Sequence, residues 1–224
     1  MAPVNFPAPL QTFWSRAEPI LRADRRLLGV LAAGSAISGE MDLYSDLDLV
    51  LVIRDESYAE LMATHVDYPA RIPGLLTAFV GYHVGEPRLV IALFADPLVH
   101  VDFKFVTPDT LERRIETPIV LIDETGELRR RLAVGEATWP NRDSQWFEDR
   151  IWTWFHYGAV KIARGELFEA LNFLSDLRKL VLGPLAARRH GRDQNAIRKI
   201  EMIAPAIAAR LNATVSLYDR EQLW

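Results

Sequence analysis

The stretch Gly34-Ser-Ala-Ile-Ser-Gly-Glu-Met-Asp-Leu-Tyr-Ser-Asp-Leu-Asp-Leu49 decides how this chain is read. It follows an apolar run, Leu27 to Ala33, that has the length and composition of a buried strand and stops at Gly34-Ser35. After a polar, glycine-bearing connection a second strand is expected from Leu47 to Ile53. Strands send alternate side chains to opposite faces, so Asp46 and Asp48 share one face while Leu47, Leu49, Leu51 and Ile53 share the other. Neighbouring carboxylates repel, and a metal cation is the usual reason to hold them together. The competing reading is a solvated edge-strand face that happens to carry two acids. A third acid weighs against it: Val99, Val101, Phe103 and Phe105 form an apolar face, leaving His100, Asp102 and Lys104 opposite. Asp102 is therefore expected to face the first two acids across the sheet. The Gly34-Ser35 turn can bring backbone N–H groups and a hydroxyl to phosphate oxygens.

Outward from this segment, apolar positions from Leu10 to Arg26 fall at helical spacing, with Pro19 expected to divide two short helices. Asp55 to Thr64 reads as a helix with Asp55 near its cap. Phe79 to Tyr82, Arg88 to Phe94 and Leu98 to Val106 read as strands separated by Gly-Glu-Pro and Ala-Asp-Pro turns, and Pro118 to Asp123 as a last short strand; Arg71 to Ala78 has no clear period. Strands and helices mix without regular βαβ alternation, which points to an α+β fold with a small mixed sheet and packed helices. Beyond Trp139-Pro140-Asn141 the pattern changes. Ser144 to Arg164, Glu166 to Arg189 and Ala196 to Leu211 have helical periodicity, interrupted at Gly165, Gly183-Pro184, Gly191 and Pro205. An α/β N-terminal domain over residues 1–136 and an all-helical domain over 137–224 are expected.

Composition sets the outer limits. Of 224 residues, half are apolar and a quarter charged, which excludes a disordered or fibrous chain. There is no Cys, so disulfides, thiolate metal sites and Cys nucleophiles are excluded. Met1 to Arg16 lacks the basic start and apolar run of a signal peptide, and no segment approaches the roughly 20 apolar residues that span a bilayer; a cytoplasmic location is the expectation. Residues 1–126 carry 18 acids and 10 bases, net −8, whereas 127–224 carry 12 acids and 16 bases, net +4. The negative total and the lack of a basic stripe with interleaved aromatics argue against a long nucleic-acid substrate.

Gly34-Ser35, ten intervening residues and Asp46-Leu47-Asp48-Leu49 resemble the signature of the polymerase-beta-like nucleotidyltransferase superfamily, in which a Gly-Ser or Gly-Gly turn precedes an Asp-x-Asp strand. The stretch from Gly34 to Leu49 looks most like stand-alone bacterial members that include the aminoglycoside and lincosamide nucleotidyltransferases. Gly81 to Val106, with His100-Val-Asp-Phe-Lys-Phe-Val106, is similar to a further bacterial branch. The resemblance covers about residues 25–130 and is architectural alone for the helical half. It implies that Asp46, Asp48 and Asp102 hold two Mg²⁺ ions, that the triphosphate tail is anchored at Gly34-Ser35, and that a nucleoside monophosphate passes from an NTP, ATP by expectation, to an acceptor hydroxyl. Two ions about 4 Å apart can activate such a hydroxyl and stabilise the departing pyrophosphate. Several members build the site between two protomers, which makes a homodimer an expectation.

Other residues border this reading. Lys104 and His100 share the carboxylate face and could touch phosphate or acceptor, or merely offset the acids; Glu86 and Arg88 lie in a neighbouring turn. Lys161, Arg164 and Glu166 cluster at a helix junction, where Glu166 is either an acceptor-side base or a helix-start carboxylate favoured by the dipole. Trp146, Trp152, Trp154, Phe155 and Tyr157 give one helix a high aromatic density, suited to core packing or to lining a ring-binding surface. Arg150 and His156 loosely match an Arg-x(4 to 6)-His ribonuclease pattern of toxin–antitoxin pairs. The leading expectation is a metal-dependent nucleotidyltransferase acting on a small molecule, an antibiotic among the candidates, or on a protein. The alternatives are a non-catalytic nucleotide-binding regulator and a toxin–antitoxin component.

Overall fold

A computed structural model describes residues 5–224, so the first residues of the Met1–Arg16 stretch lie outside it. The chain divides into two compact units, one ending at Thr138 and the other spanning Trp139–Trp224.

In the first unit the helix α1 (Ala8–Ala23) leads into β1 (Leu27–Ala32), the one-turn helix α2 (Ser35–Ser38), β2 (Leu47–Ile53) and α3 (Asp55–Ala63). A 3-10 turn, His65–Arg71, precedes β3 (Leu75–Val80), β4 (Leu89–Phe94) and β5 (Val99–Val106); β6 (Ile119–Ile122) and α4 (Glu127–Leu132) complete it. The six strands form one sheet in the order β3-β4-β5-β2-β1-β6. The central β2–β5 pair is parallel and every other pair is antiparallel. This is a mixed sheet with packed helices.

Burial explains the layers. Leu47, Leu49 and Leu51 of β2 and Val101, Phe103 and Phe105 of β5 join Leu10, Phe13 and Leu21 of α1 in the main core. Phe13 and Phe94 rings meet at a tilt, 4.8 Å between centroids, across the helix–sheet boundary. Burying such side chains removes apolar surface from water at about 25 cal/mol per Å², and this term holds α1 in one piece. The expected division at Pro19 does not occur: Pro19 lies inside a continuous 16-residue helix, and the stripe Leu10, Phe13, Trp14, Ala17 and Leu21 stays buried on both sides of it. A proline within a helix costs about 3 kcal/mol, less than five buried apolar side chains return.

The opposite face of the sheet is covered only in part. Leu28, Leu31, Val52, Val106, Leu111 and Leu128 make a smaller core beneath α4 and the turn Pro108–Glu112. Gly29 sits at a β-bulge there, and a Cβ on it would lie 2.2 Å from the Ile122 carbonyl oxygen, so only glycine permits this β1–β6 approach. Toward β5, β4 and β3 the same face carries half-buried or exposed residues, among them Asp102, Lys104, Ile91 and Phe79. One local expectation shifts: β3 starts at Leu75, in the segment without a clear period. Asp55, expected near the cap of α3, is its first residue, next to the N-cap Arg54.

The second unit is all helical among its described elements. Helix α5 (Ser144–Arg164) is capped by Asp143, whose carboxylate accepts from Trp146 N–H at 2.8 Å. It ends at Gly165, φ 77°, with Gly165 and Glu166 N–H groups donating to the Ile162 and Lys161 carbonyls, a Schellman closure. α6 (Leu167–Leu177) continues through a π-turn, Arg178–Leu182, into α7 (Gly183–Arg189); Pro184 lacks the N–H that a regular α-turn would use there. The helical stretch expected from Ala196 to Leu211 is interrupted at Pro205 as its sequence suggests, giving α8 (Ile200–Ile203) and α9 (Pro205–Asn212). Its start is later than expected: Ala196 and Lys199 have positive φ, so the backbone turns before Ile200 and residues 196–199 stay outside the helix. A final turn, α10 (Arg220–Leu223), packs on α6.

Candidate active site

Parallel pairing of β2 with β5 puts Asp48 directly beside Asp102, with Val50 beside Lys104. Antiparallel pairing then extends the row from Asp102 to Ile91 and from Ile91 to Phe79. Two acids from segments 54 residues apart thus stand side by side at the open part of the sheet. Asp46 lies one residue before β2, and its charge reaches Asp102. Burial pushes the Asp102 carboxyl above its ordinary value, His100 pulls it back and Asp46 raises it further. His100 Nε2 is 2.8 Å from Asp102 Oδ1. A cation at this place would relieve the repulsion, and an all-carboxylate oxygen set suits a hard divalent ion such as Mg²⁺. Among the described residues no three His, Asp or Glu side chains close into a ready-made metal cage.

Gly34 closes the other side. Its backbone, φ 59° and ψ −131°, lies where residues with a side chain rarely go. A Cβ there would fall 2.0 Å from Asp48 Oδ2, so the turn and the carboxylate are packed against one another. The Ser35 hydroxyl is buried and has no hydrogen-bond partner, and a buried unsatisfied hydroxyl of this kind costs about 1–3 kcal/mol unless a ligand or water meets it. The Gly34 N–H donates to Glu116 Oε1 at 3.0 Å, a contact no local pattern announces because the two residues are 82 positions apart. Gly34→Ala is expected to strain the turn by about 1–3 kcal/mol and to displace Asp48. Thermal unfolding should show that loss, with circular dichroism still that of a folded protein.

The remaining candidates divide. Lys104 Nζ is 3.0 Å from Glu86 Oε2, so its charge is already answered by a residue of the preceding turn. Glu86 also binds Arg88 at 2.7 Å. The Arg88 guanidinium outweighs the burial of the Glu86 carboxyl and, with Lys104, lowers it to about 2. Glu86 and Arg88 are therefore a fixed, half-buried brace rather than free turn charges. In the second unit Lys161 Nζ is 2.5 Å from Glu166 Oε2, and Arg164 is 3.9 Å from Oε1. Lys161 holds the Glu166 carboxyl below its ordinary range, which weakens it as a base in this arrangement. Glu166 makes no side-chain cap bond to α6.

The aromatic cluster also splits by burial. Trp146 and Trp154 pack on the small core of Phe147, Leu177 and Val181, whereas Trp152 is 67% exposed and Phe155 48%. Arg142 and Arg150 lie over the Trp146 ring at 5.3 and 4.5 Å, at the rim of an open cavity of about 340 Å³. Arg150 further donates to the Trp146 carbonyl at 2.9 Å. Six residues along a helix at 100° per residue separate Arg150 from His156 by about a third of a turn in projection, so the two do not share a stripe of α5.

The first unit is thus a mixed-sheet domain that presents paired carboxylates beside a half-buried Gly-Ser turn. No protein-family model matches the sequence, and no curated protein matches it. Among solved structures, a nucleotidyltransferase-like protein from Exiguobacterium sibiricum 255-15 is similar at 10% sequence identity, with a TM-score of 0.40, over 96% of this chain and 70% of that one. No helix among the described residues is long and apolar enough to cross a membrane.

Proposed function

We propose that this chain is a nucleotidyltransferase that moves a nucleoside monophosphate from an NTP to a hydroxyl of a small molecule or a protein. The observation that supports the reading best is the placement of Asp48 beside Asp102, with Gly34 packed on Asp48 and an unsatisfied Ser35 hydroxyl next to it. Asp46, Asp48 and Asp102 are the residues that would hold two Mg²⁺ ions, which supply Lewis-acid activation of the acceptor oxygen and charge neutralisation at the leaving pyrophosphate. The chain's own part is to position. Gly34 and Ser35 would offer an N–H and an O–H to phosphate oxygens, and Asp102 would stand beside the acceptor hydroxyl to take its proton. Ile91 and Phe79, the next residues in the same row, offer an apolar surface for the ring of a base or acceptor. His100, 2.8 Å from Asp102, is proposed as the residue that tunes it.

The test is incubation with Mg²⁺, each NTP in turn and a pool of hydroxyl acceptors, read by mass spectrometry. The expected result is a product heavier by one nucleoside monophosphate, with release of pyrophosphate. Tight nucleotide binding without such a product from any acceptor would favour the non-catalytic nucleotide-binding reading, and absence of nucleotide binding would overturn the assignment.

A further inference from the structure

Glu116 stands in the loop between the turn Pro108–Glu112 and β6, and its Oε1 accepts the Gly34 N–H at 3.0 Å. Among the described residues no Lys or Arg lies within ion-pair distance of Glu116. It is partly buried next to a domain face that already carries Asp46, Asp48 and Asp102. Three features stand together at one turn: a backbone donor in a conformation that suits glycine, an anion seated on that donor, and a buried hydroxyl with no partner.

We propose that Glu116 acts as a resident anion at the phosphate end of the site. Its carboxylate occupies the Gly34 N–H and must yield it to an incoming phosphate oxygen. This rests on the nucleotidyl-transfer reading and goes beyond it by naming what competes with the nucleotide. One N–H serves one strong acceptor at a time, and two anions within a few ångströms of one another repel at the reduced dielectric of a half-buried site. Seating the phosphate tail and keeping Glu116 on Gly34 are therefore mutually exclusive. A hydrogen bond from a neutral donor to a lone carboxylate, with no cation to anchor the acid, is one that an incoming phosphate with its metal can displace. The resident carboxylate lowers affinity for any phosphate tail, whatever the base attached to it.

Glu116→Gln and Glu116→Ala separate this role from a merely structural one. Each variant and the wild type are titrated calorimetrically with Mg·ATP and with Mg²⁺ plus inorganic tripolyphosphate, a probe that lacks a base. Asp48→Asn serves as the control for the site. The expected result is about tenfold tighter binding of both probes by both variants. In steady-state transfer KM falls by a similar factor while kcat stays within about twofold. A structural role predicts the reverse, a lower Tm with binding unchanged or weaker in both variants, and that outcome overturns the proposal while leaving the nucleotidyl-transfer reading in place. If neither the wild type nor either variant binds the two probes, the nucleotidyl-transfer reading itself fails, and this proposal with it.

Discussion

Under the proposed function, Asp48→Asn is expected to lower metal-dependent nucleotidyl transfer roughly a thousandfold, about 4 kcal/mol of transition-state stabilisation, while the domain stays folded. The substitution keeps the volume that packs on Gly34, where any Cβ would meet Asp48 Oδ2 at 2.0 Å, so the turn is not released. What changes is charge. A carboxylate that stands beside Asp102 across two parallel strands becomes a neutral amide, and the proposed divalent cation would lose a charged oxygen ligand. Removing one of three neighbouring negative charges also relieves repulsion, so Tm without metal is expected to hold or rise slightly. The check is to measure transfer rates and thermal unfolding on the same preparation. Transfer within tenfold of wild type in Asp48→Asn would remove Asp48 from the site, and a collapse of Tm would assign it a structural role.

The largest stability effect is expected far from this site. Asp24 follows the last turn of α1, and its side chain is 4% exposed. It accepts from the Arg26 backbone at 3.1 Å, from Arg26 Nε at 2.9 Å and Nη2 at 2.8 Å, from the Tyr68 hydroxyl at 3.0 Å, and from Arg71 Nη1. Burial by itself would raise the Asp24 carboxyl, but the Arg26 and Arg71 guanidinium groups more than reverse this and hold it well below the usual carboxylate range. The Tyr68 phenol, buried against the same carboxylate, is pushed well above the ordinary tyrosine range. Asp24→Ala leaves a buried hydroxyl and two guanidinium groups without their acceptor. The expected cost is about 3–5 kcal/mol, a fall in Tm on the order of 10–20 °C.

The pH dependence has a definite sign. A carboxyl whose folded pKa is depressed contributes stability above its unfolded pKa, about 3.9 for Asp, and that contribution fades as pH falls toward the lower folded value. The difference in Tm between wild type and Asp24→Asn should therefore be full at neutral pH and shrink only below about pH 4. A difference that stayed constant down to pH 2 would show that the network stabilises by shape and not by charge.

Much of this was legible in the residues. The alternation in Leu47–Ile53 and Val99–Val106 places Asp48 and Asp102 on the solvent-side faces of their strands because a strand has a period of two wherever it sits. The long α5 was legible at both ends, since Asp143 and Gly165 cap it with their own local chemistry. Pro19 misleads as a helix break because its penalty is local, whereas the gain from burying Phe13, Trp14 and Leu21 depends on a sheet formed later in the chain. The first part of β3, Leu75 to Ala78, was hidden for a related reason: on an edge strand with Leu76 and Phe79 exposed, there is no alternation to read, and only its end at Phe79 and Val80 was anticipated.

By itself the sequence determined which side chains could share a face: the acids of the two central strands, the apolar stripe of α1, and the Gly-Ser turn at the end of β1. Those follow from backbone periods that act over a few residues. Only the tertiary structure decided that β2 and β5 are parallel and in a register that sets Asp48 beside Asp102, that Glu116 reaches Gly34, that Glu86 takes Lys104, and that Asp24 gathers Arg26, Tyr68 and Arg71. Strand register and long-range ion pairing are set by the packing of the whole core, because a slip of one residue would turn every side chain of a strand to the wrong face, and no local pattern carries that information.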